Sequence, residues 1–334
     1  MSRVFIHGWG AVSPAGWGCE ALEQAMFAGT PLPEQEVTRP GRAEPLRVRR
    51  VPAPATRPAF LAHPRLRRTS PITHFAVAAA CEALGTNAVQ VAAGEVRLGI
   101  IFCAFTGCVG YSRRFYDETL RDPATASPLV FPETVFNAPA SHLAAFFGTT
   151  AVNYTLVGDQ GEFVKALALA ADWLLAGRVD GCLVVGAEET DWLSADALRL
   201  VAPSVIAAEG AGAVYLRCDP GPVELCAVTE PQLFTQTRGR QEAVRNTRAQ
   251  LAGWPEPDVW LGADECDLAT APVGMPHGAR RLSLAAMLGE GLGAASAWQM
   301  VLASAMLSSG GASRAVIEVV GSNEQAVAAM LRSA

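Results

Sequence analysis

Residues 149–188 read TTAVNYTLVGDQGEFVKALALAADWLLAGRVDGCLVVGAE. The opening TTAVNYTLV is rich in β-branched and aromatic residues, as a half-buried or buried strand requires. The stretch QGEFVKALALAADWLLAG carries apolar side chains around nearly its whole circumference, so it reads as a helix enclosed on all sides rather than one lying on a surface. GCLVVGAE, at 181–188, is a second apolar run of strand length. A helix that is buried all round needs layers above and below it, which points to a layered α/β protein.

Working outward, VFIHG at 4–8 reads as a short buried strand, and the Gly-rich GWGAVSPAGWG after it as a turn leading into an amphipathic helix from Ala21 to Phe27. From Pro31 to Pro64 the chain is rich in Pro and Arg and reads as an extended surface excursion. Ser70 and Pro71 then offer an N-cap and first turn for a helix running to Gly85. RLGIIFCAF (97–105) reads as a strand, 111–137 as mixed structure, and SHLAAFFG as a helix introduced by Asn137 and Pro139. AGAVYLR (211–217) closes a first αβ half. VELCAV, DVWLGA, RRLSLA and AVIEVVG supply strands for a second, around an apolar helix at 291–307. The chain therefore divides into two αβ halves, 1–217 and a shorter 218–334, as a duplication would leave them, although no repeat of sequence is visible.

With 334 residues, half of them hydrophobic, the chain has ample material for a large core. The net charge is −6, Lys165 is the only lysine, and no polybasic run is present, which argues against nucleic acid as a partner. The opening MSRVFIHGWG lacks a charged leader with an apolar core, and no apolar run approaches the ~20 residues of a membrane span, so a soluble, cytoplasmic protein is expected. The eight cysteines form no CxxC pair and sit mostly in apolar stretches, as buried free thiols do. Gly8, Gly10 and Ser13 nearly match a dinucleotide-binding glycine pattern. The third glycine is absent and the acidic residue expected about twenty positions on falls in the Pro and Arg excursion, so a tight strand-to-helix turn is the better reading.

Four segments, in order, resemble the β-ketoacyl synthases of the thiolase superfamily. GWGAVSPAG resembles that family's opening "GxGxVSPxG", SPLVFPETVFNAPASHLAAFFG its "SPxxxPxxxxNxxAxxxxxxFG", GRVDGCLVVGAEE its "GxxDxxlvGGaE", and SVIAAEGAGAVYL its "gfvxgEGAgaxvLe". The resemblance implies the thiolase fold, an α/β architecture of five α-β-α-β-α layers built from two similar halves. It also implies a catalytic cysteine at the start of the central helix, two histidines and a lysine, and neither cofactor nor metal.

This sequence departs from that pattern at each catalytic position. Aligning VGDQGEFVKAL on "xxACxSGxxAx" puts Gln160 at the nucleophile, with Asp159 before it, and a neutral amide forms no acyl-enzyme. In the first histidine loop, WLGADECD, Ala263 or Asp264 stands at the histidine. In the second, AAMLGEGLGA, Ala285 replaces the lysine and Glu290 the histidine. None of the five histidines falls on a motif position, and His142 reads as structural. This set of losses is similar to that of chain length factors, the non-condensing subunits that pair with an active ketosynthase in type II polyketide and aryl polyene assembly. Two other readings stay open: a malonyl-ACP decarboxylase of the Gln-for-Cys loading type, and a non-catalytic scaffold homodimer.

The resemblance implies further that the strand AVNYTLV pairs across a dimer interface, that the active β-ketoacyl-ACP synthase and an acyl carrier protein are partners, and that GCVGYSRRFYDETL lines the end of the substrate tunnel. Val109, Ser112 and Tyr116, or Phe115 if the alignment slips by one, are then the gate, the alternative being plain interface packing. Arg65, Arg67 and Arg68 stand where similar synthases carry a basic cluster for the acidic carrier protein, the alternative being an ordinary solvated charge run. The chain is shorter than a usual synthase subunit between Glu189 and Ser204 and between Glu230 and Asp258.

Overall fold

Ten strands form the continuous path of a twelve-stranded main sheet in a computed structural model that describes residues 3–235, 239–262, 278–322 and 325–334. In chain order they are β1 (Val4–Ser13), β2 (Leu98–Ala104), β3 (Asn153–Val157), β4 (Gly181–Glu188), β5 (Gly210–Arg217), β6 (Val223–Val228), β7 (Val259–Gly262), β8 (Arg280–Leu282), β9 (Arg314–Val320) and β10 (Gln325–Ser333). Their spatial order is β8-β7-β9-β10-β6-β1-β5-β4-β2-β3. Read outward from the centre, each half runs first, fifth, fourth, second, third. In each half the second strand lies parallel to the third and fourth, and the fifth antiparallel to its neighbours. The halves meet where β1 pairs antiparallel with β6, Val4 opposite Leu225 and Ile6 opposite Val223. The duplication invisible in the sequence is thus explicit in the topology.

Two helices occupy the middle layer. They are α5 (Gly161–Leu175) and α8 (Ala295–Ser308), the fifth and eighth of the longer helices counted from α1 (Cys19–Ala28) among the described residues. Each contacts strands of both halves, α5 touching β4 and β10 and α8 touching β5 and β9. On the outer face of the first half lie α2 (Pro71–Leu84) and α4 (Ala138–Phe147), and on that of the second α7 (Arg240–Gln250). Helix, sheet, helices, sheet, helix is the five-layered arrangement expected of the thiolase fold. The central layer is held by burial: Phe163, Leu167 and Trp173 of α5, and Trp298, Val301 and Leu302 of α8, are enclosed in one core. Each such side chain contributes about 1.5–3 kcal/mol from water exclusion.

Several local readings change. GWGAVS continues β1 rather than turning: a Cβ at Gly8 would stand 2.1 Å from Ala83 O, and one at Gly10 2.1 Å from Ala79 O. Those glycines let α2 press its backbone onto the strand. The turn comes at a hairpin with Gly16–Trp17. The Pro and Arg excursion carries short strands at Gln35–Val37 and Leu46–Arg49, the latter paired with Ala207–Ala208 and burying Val48 and Arg49. The mixed segment opens with α3 (Val109–Arg121), and α6 (Trp192–Val201) follows β4.

Candidate functional site

The site forms where α5 begins. Gln160 precedes its first residue, and the Gln160 carbonyl accepts a hydrogen bond from Ser296 Oγ of α8 at 2.6 Å. The Gln160 Oε1 atom is buried without a hydrogen-bond partner. Beside it, Asp159 is almost fully buried; its Oδ1 accepts the Gly161 N–H at 2.9 Å and Gln325 Nε2 at 2.8 Å. Gln325 Nε2 also lies 3.3 Å from Glu162 Oε1, which pairs with Lys165 Nζ at 2.6 Å. Gln325 begins β10, so this polar chain sews the first half to the second at the head of the central helix. A side chain on Gly321 would put Cβ 2.0 Å from Asp159 Oδ2.

The loop before α8 approaches the same place. Glu290 is held by backbone: its N–H donates to Ile206 O at 2.7 Å, and its carbonyl accepts from Ala208 N at 2.8 Å. Its Oε1 takes the Leu292 N–H at 2.7 Å. Leu292 sits at φ 46°, a left-handed conformation costly for a branched side chain. Ala285 opens a short helix, Ala285–Leu288, braced from outside by Arg49, whose Nη1 donates to Ala286 O at 3.2 Å. A cleft of about 950 Å³ opens there, with Leu46, Arg49, Ile206 and Ala285 in its wall. Ala263 and Asp264, one of which is expected at the first histidine position, lie outside the described residues.

Glu188 ties the segment after β2 to the loop before α8 and was missed in the sequence. Its carboxyl accepts the N–H groups of Phe105 (2.8 Å), Thr106 (2.9 Å) and Gly293 (3.3 Å) as well as the Thr106 hydroxyl. Burial nevertheless pushes its acid up to about 7. Glu189 caps α2 in the same manner, taking the Ser70 hydroxyl and the Ile72 N–H (3.1 Å), so the expected N-cap serine donates to this glutamate instead of accepting from its own helix. Burial also pushes the thiols of Cys19, Cys103, Cys108 and Cys182 up, which keeps them protonated and unreactive.

The tunnel and docking candidates lie elsewhere. Val109 is buried at the start of α3, Ser112 Oγ donates to Thr134 O at 3.2 Å, Phe115 packs on Phe131 at 5.4 Å between ring centroids, and Tyr116 is exposed. Tyr116, Phe131 and Phe136 are exposed, and on the edge strand β3 Tyr154 and Val157 are half exposed. Arg65, Arg67 and Arg68 all face solvent and form no ion pair among the described residues. His142 Nε2 pairs with Glu133 Oε1 at 2.9 Å, away from Gln160 in the sequence and on an outer helix.

In this geometry the head of α5 presents a buried amide oxygen at Gln160, and Gln325 bridges the Asp159 and Glu162 carboxylates beside it. No helix among the described residues is long and apolar enough to cross a membrane. The fold is shared with solved structures of low sequence identity. The ishigamide ketosynthase/chain length factor is 21% identical, with 99% of each chain covered and a TM-score of 0.80. The ketosynthase ApeO in complex with its chain length factor ApeC from Xenorhabdus doucetiae is 16% identical over 100% of this chain and 98% of that one, with a TM-score of 0.81. A β-ketoacyl synthase from Burkholderia phymatum STM815 is 14% identical over the whole of both chains, with a TM-score of 0.79. No curated protein sequence matches. The family model of the β-ketoacyl synthase N-terminal domain matches residues 1–217, well over half of the sequence, and on that ground the chain belongs to the β-ketoacyl synthase family.

Proposed function

We propose that this chain is a catalytically silent chain length factor, which pairs with an active β-ketoacyl-ACP synthase and helps shape the cavity that receives the growing acyl chain. The observation that carries this reading is Gln160 at the head of α5, with its carbonyl on Ser296 and its amide oxygen buried. Condensation begins with a thiolate attacking an acyl thioester, and a carboxamide supplies no such electron pair. Glu290 in place of a histidine and Ala285 in place of a lysine remove the donors that stabilise an enolate oxygen, which speaks against a decarboxylase as well. Pairing is supported by β3, an edge strand that pairs only with β2 among the described residues and presents Tyr154 and Val157 outward. An apolar open edge of this kind is stabilised by another strand laid against it. In this reading the border between the halves falls at Arg217, the segment with Val109, Ser112, Phe115 and Tyr116 sets the depth of the shared cavity, and Arg65, Arg67 and Arg68 attract the acidic carrier protein.

The test is co-expression with a candidate ketosynthase, then size-exclusion chromatography and intact mass after exposure to cerulenin, a cysteine-directed inhibitor. The expected result is one heterodimeric peak in which only the partner gains mass. Stoichiometric labelling of this chain at a defined residue, or separate elution, contradicts the reading. The same reconstituted pair reports the finer roles: product length with Tyr116→Ala, and salt dependence of elongation with Arg67→Glu and Arg68→Glu together. No change in either measurement removes the corresponding role.

A further inference from the structure

We propose that the groove between Arg57 and Arg67 is a binding site for a phosphate group, taken as the dianion of a phosphate monoester. The two arginines line one open groove of about 470 Å³ with Pro58, Ala59, Leu61 and Ala62. Those four carry no charged side chain, so nothing else in this lining neutralises the guanidiniums. Neither arginine forms an ion pair among the described residues, whereas exposed arginines elsewhere find carboxylates, as Arg97 does Asp180 at 2.6 Å and Arg114 does Glu118 at 2.9 Å. The sequence explains the difference. Between Pro45 and Cys81 stand seven of the chain's 26 basic residues and none of its 32 acidic ones, in a protein whose net charge is −6. A positive stretch kept clear of carboxylates concentrates the field that draws an anion.

The backbone brings the two side chains to one groove from ten positions apart. Two consecutive 3-10 turns, Ala59–Ala62 and Pro64–Leu66, fold the segment back: the Leu61 N–H donates to Pro58 O at 3.1 Å, the His63 N–H to Phe60 O at 2.9 Å and the Leu66 N–H to His63 O at 3.0 Å. Leu66 is buried, and its carbonyl accepts the Thr69 hydroxyl at 3.2 Å and His74 Nε2 at 2.9 Å, which ties the second turn to α2. His63 packs edge-on against Phe146 of α4, with ring centroids 5.4 Å apart. Arg57 is tethered at the other end, donating from Nη2 to Leu61 O at 3.5 Å. A guanidinium fork matches two oxygens of a phosphate and fixes its orientation as an ammonium does not. Two forks supply two positive charges, which the dianion of a monoester balances and the single charge of a diester does not. The phosphate can arrive on a free phosphorylated metabolite or on the diester-linked prosthetic arm of a carrier protein, and the charge count favours the first. This site goes beyond the docking role given above to Arg65, Arg67 and Arg68.

The experiment titrates the full chain with methyl phosphate and follows phosphorus-31 NMR at about pH 7.5, above the second phosphate pKa of about 6, with ionic strength held constant by sodium chloride. The expected result is saturable binding that Arg57→Gln and Arg67→Gln each weaken about tenfold or more, the loss of one charge-assisted contact, while Arg65→Gln and Arg68→Gln change it less than about twofold. Circular dichroism confirms that these exposed substitutions leave the fold intact. No saturation below about 10 mM overturns the proposal, and so does an equal loss in all four variants, because a diffuse basic surface rather than a groove would then attract the anion. Dimethyl phosphate, titrated in parallel, should bind about tenfold more weakly. Equal binding of the two esters overturns the assignment to a monoester and turns the site over to a carrier's prosthetic arm. The titration contains neither ketosynthase nor carrier protein, so its failure leaves the proposed pairing standing.

Discussion

Position 321 and position 159 make one fitted pair: Gly321 has no side chain because Asp159 Oδ2 fills the volume a methyl would need. Gly321→Ala is expected to destabilise the protein by about 1–3 kcal/mol, the usual cost of overpacking. In an Asp159→Ala background the same change should cost at least about 1 kcal/mol less, which a double-mutant cycle of urea denaturation measures directly. Additive costs would mean that the two residues do not share the space. Of this cluster, Asp159 and Gln160 were legible in the sequence, since they stand at the head of an unmistakable helix. Gln325 was not, because it arrives from 166 positions away and nothing local marks it. Glu188 was overlooked for a related reason: a glutamate ending an apolar strand reads as the start of a loop, and only the tertiary structure supplies the four donors that justify burying it.

Among the elements, β3 is an edge strand whose outer side carries no strand among the described residues. Replacing Tyr154 and Val157, both half exposed, with lysine should abolish association with the partner while leaving the melting temperature of the isolated chain within a few degrees, because neither side chain is part of the core. Retained co-elution of the doubly substituted chain would move the interface elsewhere. Most elements follow their sequence pattern: β2, β4, β5 and the two central helices lie where apolar periodicity puts them. The failures have specific causes. β10, QAVAAMLRS, received no reading, because its alanines and other good helix formers carry no strand pattern; β6 and β9 on either side hold it extended and bury nearly all of it. In GWGAVS the glycines suggested a turn, whereas their function is to admit α2 against a continuing strand.

At the scale of the whole molecule, Glu188 joins the strand end of one half to Gly293 of the other through a carboxyl whose acid is raised from 4.5 to about 7 by burial. The folded state therefore holds a proton that the unfolded chain releases. This contribution to stability is fully present below about pH 4.5 and fades as pH rises through about 7, by up to about 3 kcal/mol. Melting curves of the protein and of Glu188→Gln should diverge between those limits, with the unaltered chain losing stability toward alkaline pH relative to the variant. Parallel curves would show that Glu188 does not titrate there. The mirrored strand order has a consequence for synthesis. β1 emerges from the ribosome well before its partners in the middle of the sheet, β5 and β6, with Phe5 opposite Arg217 and Glu224. For about two hundred residues of translation the first strand has neither neighbour, so the nascent chain must be kept from other strands until its first half is complete.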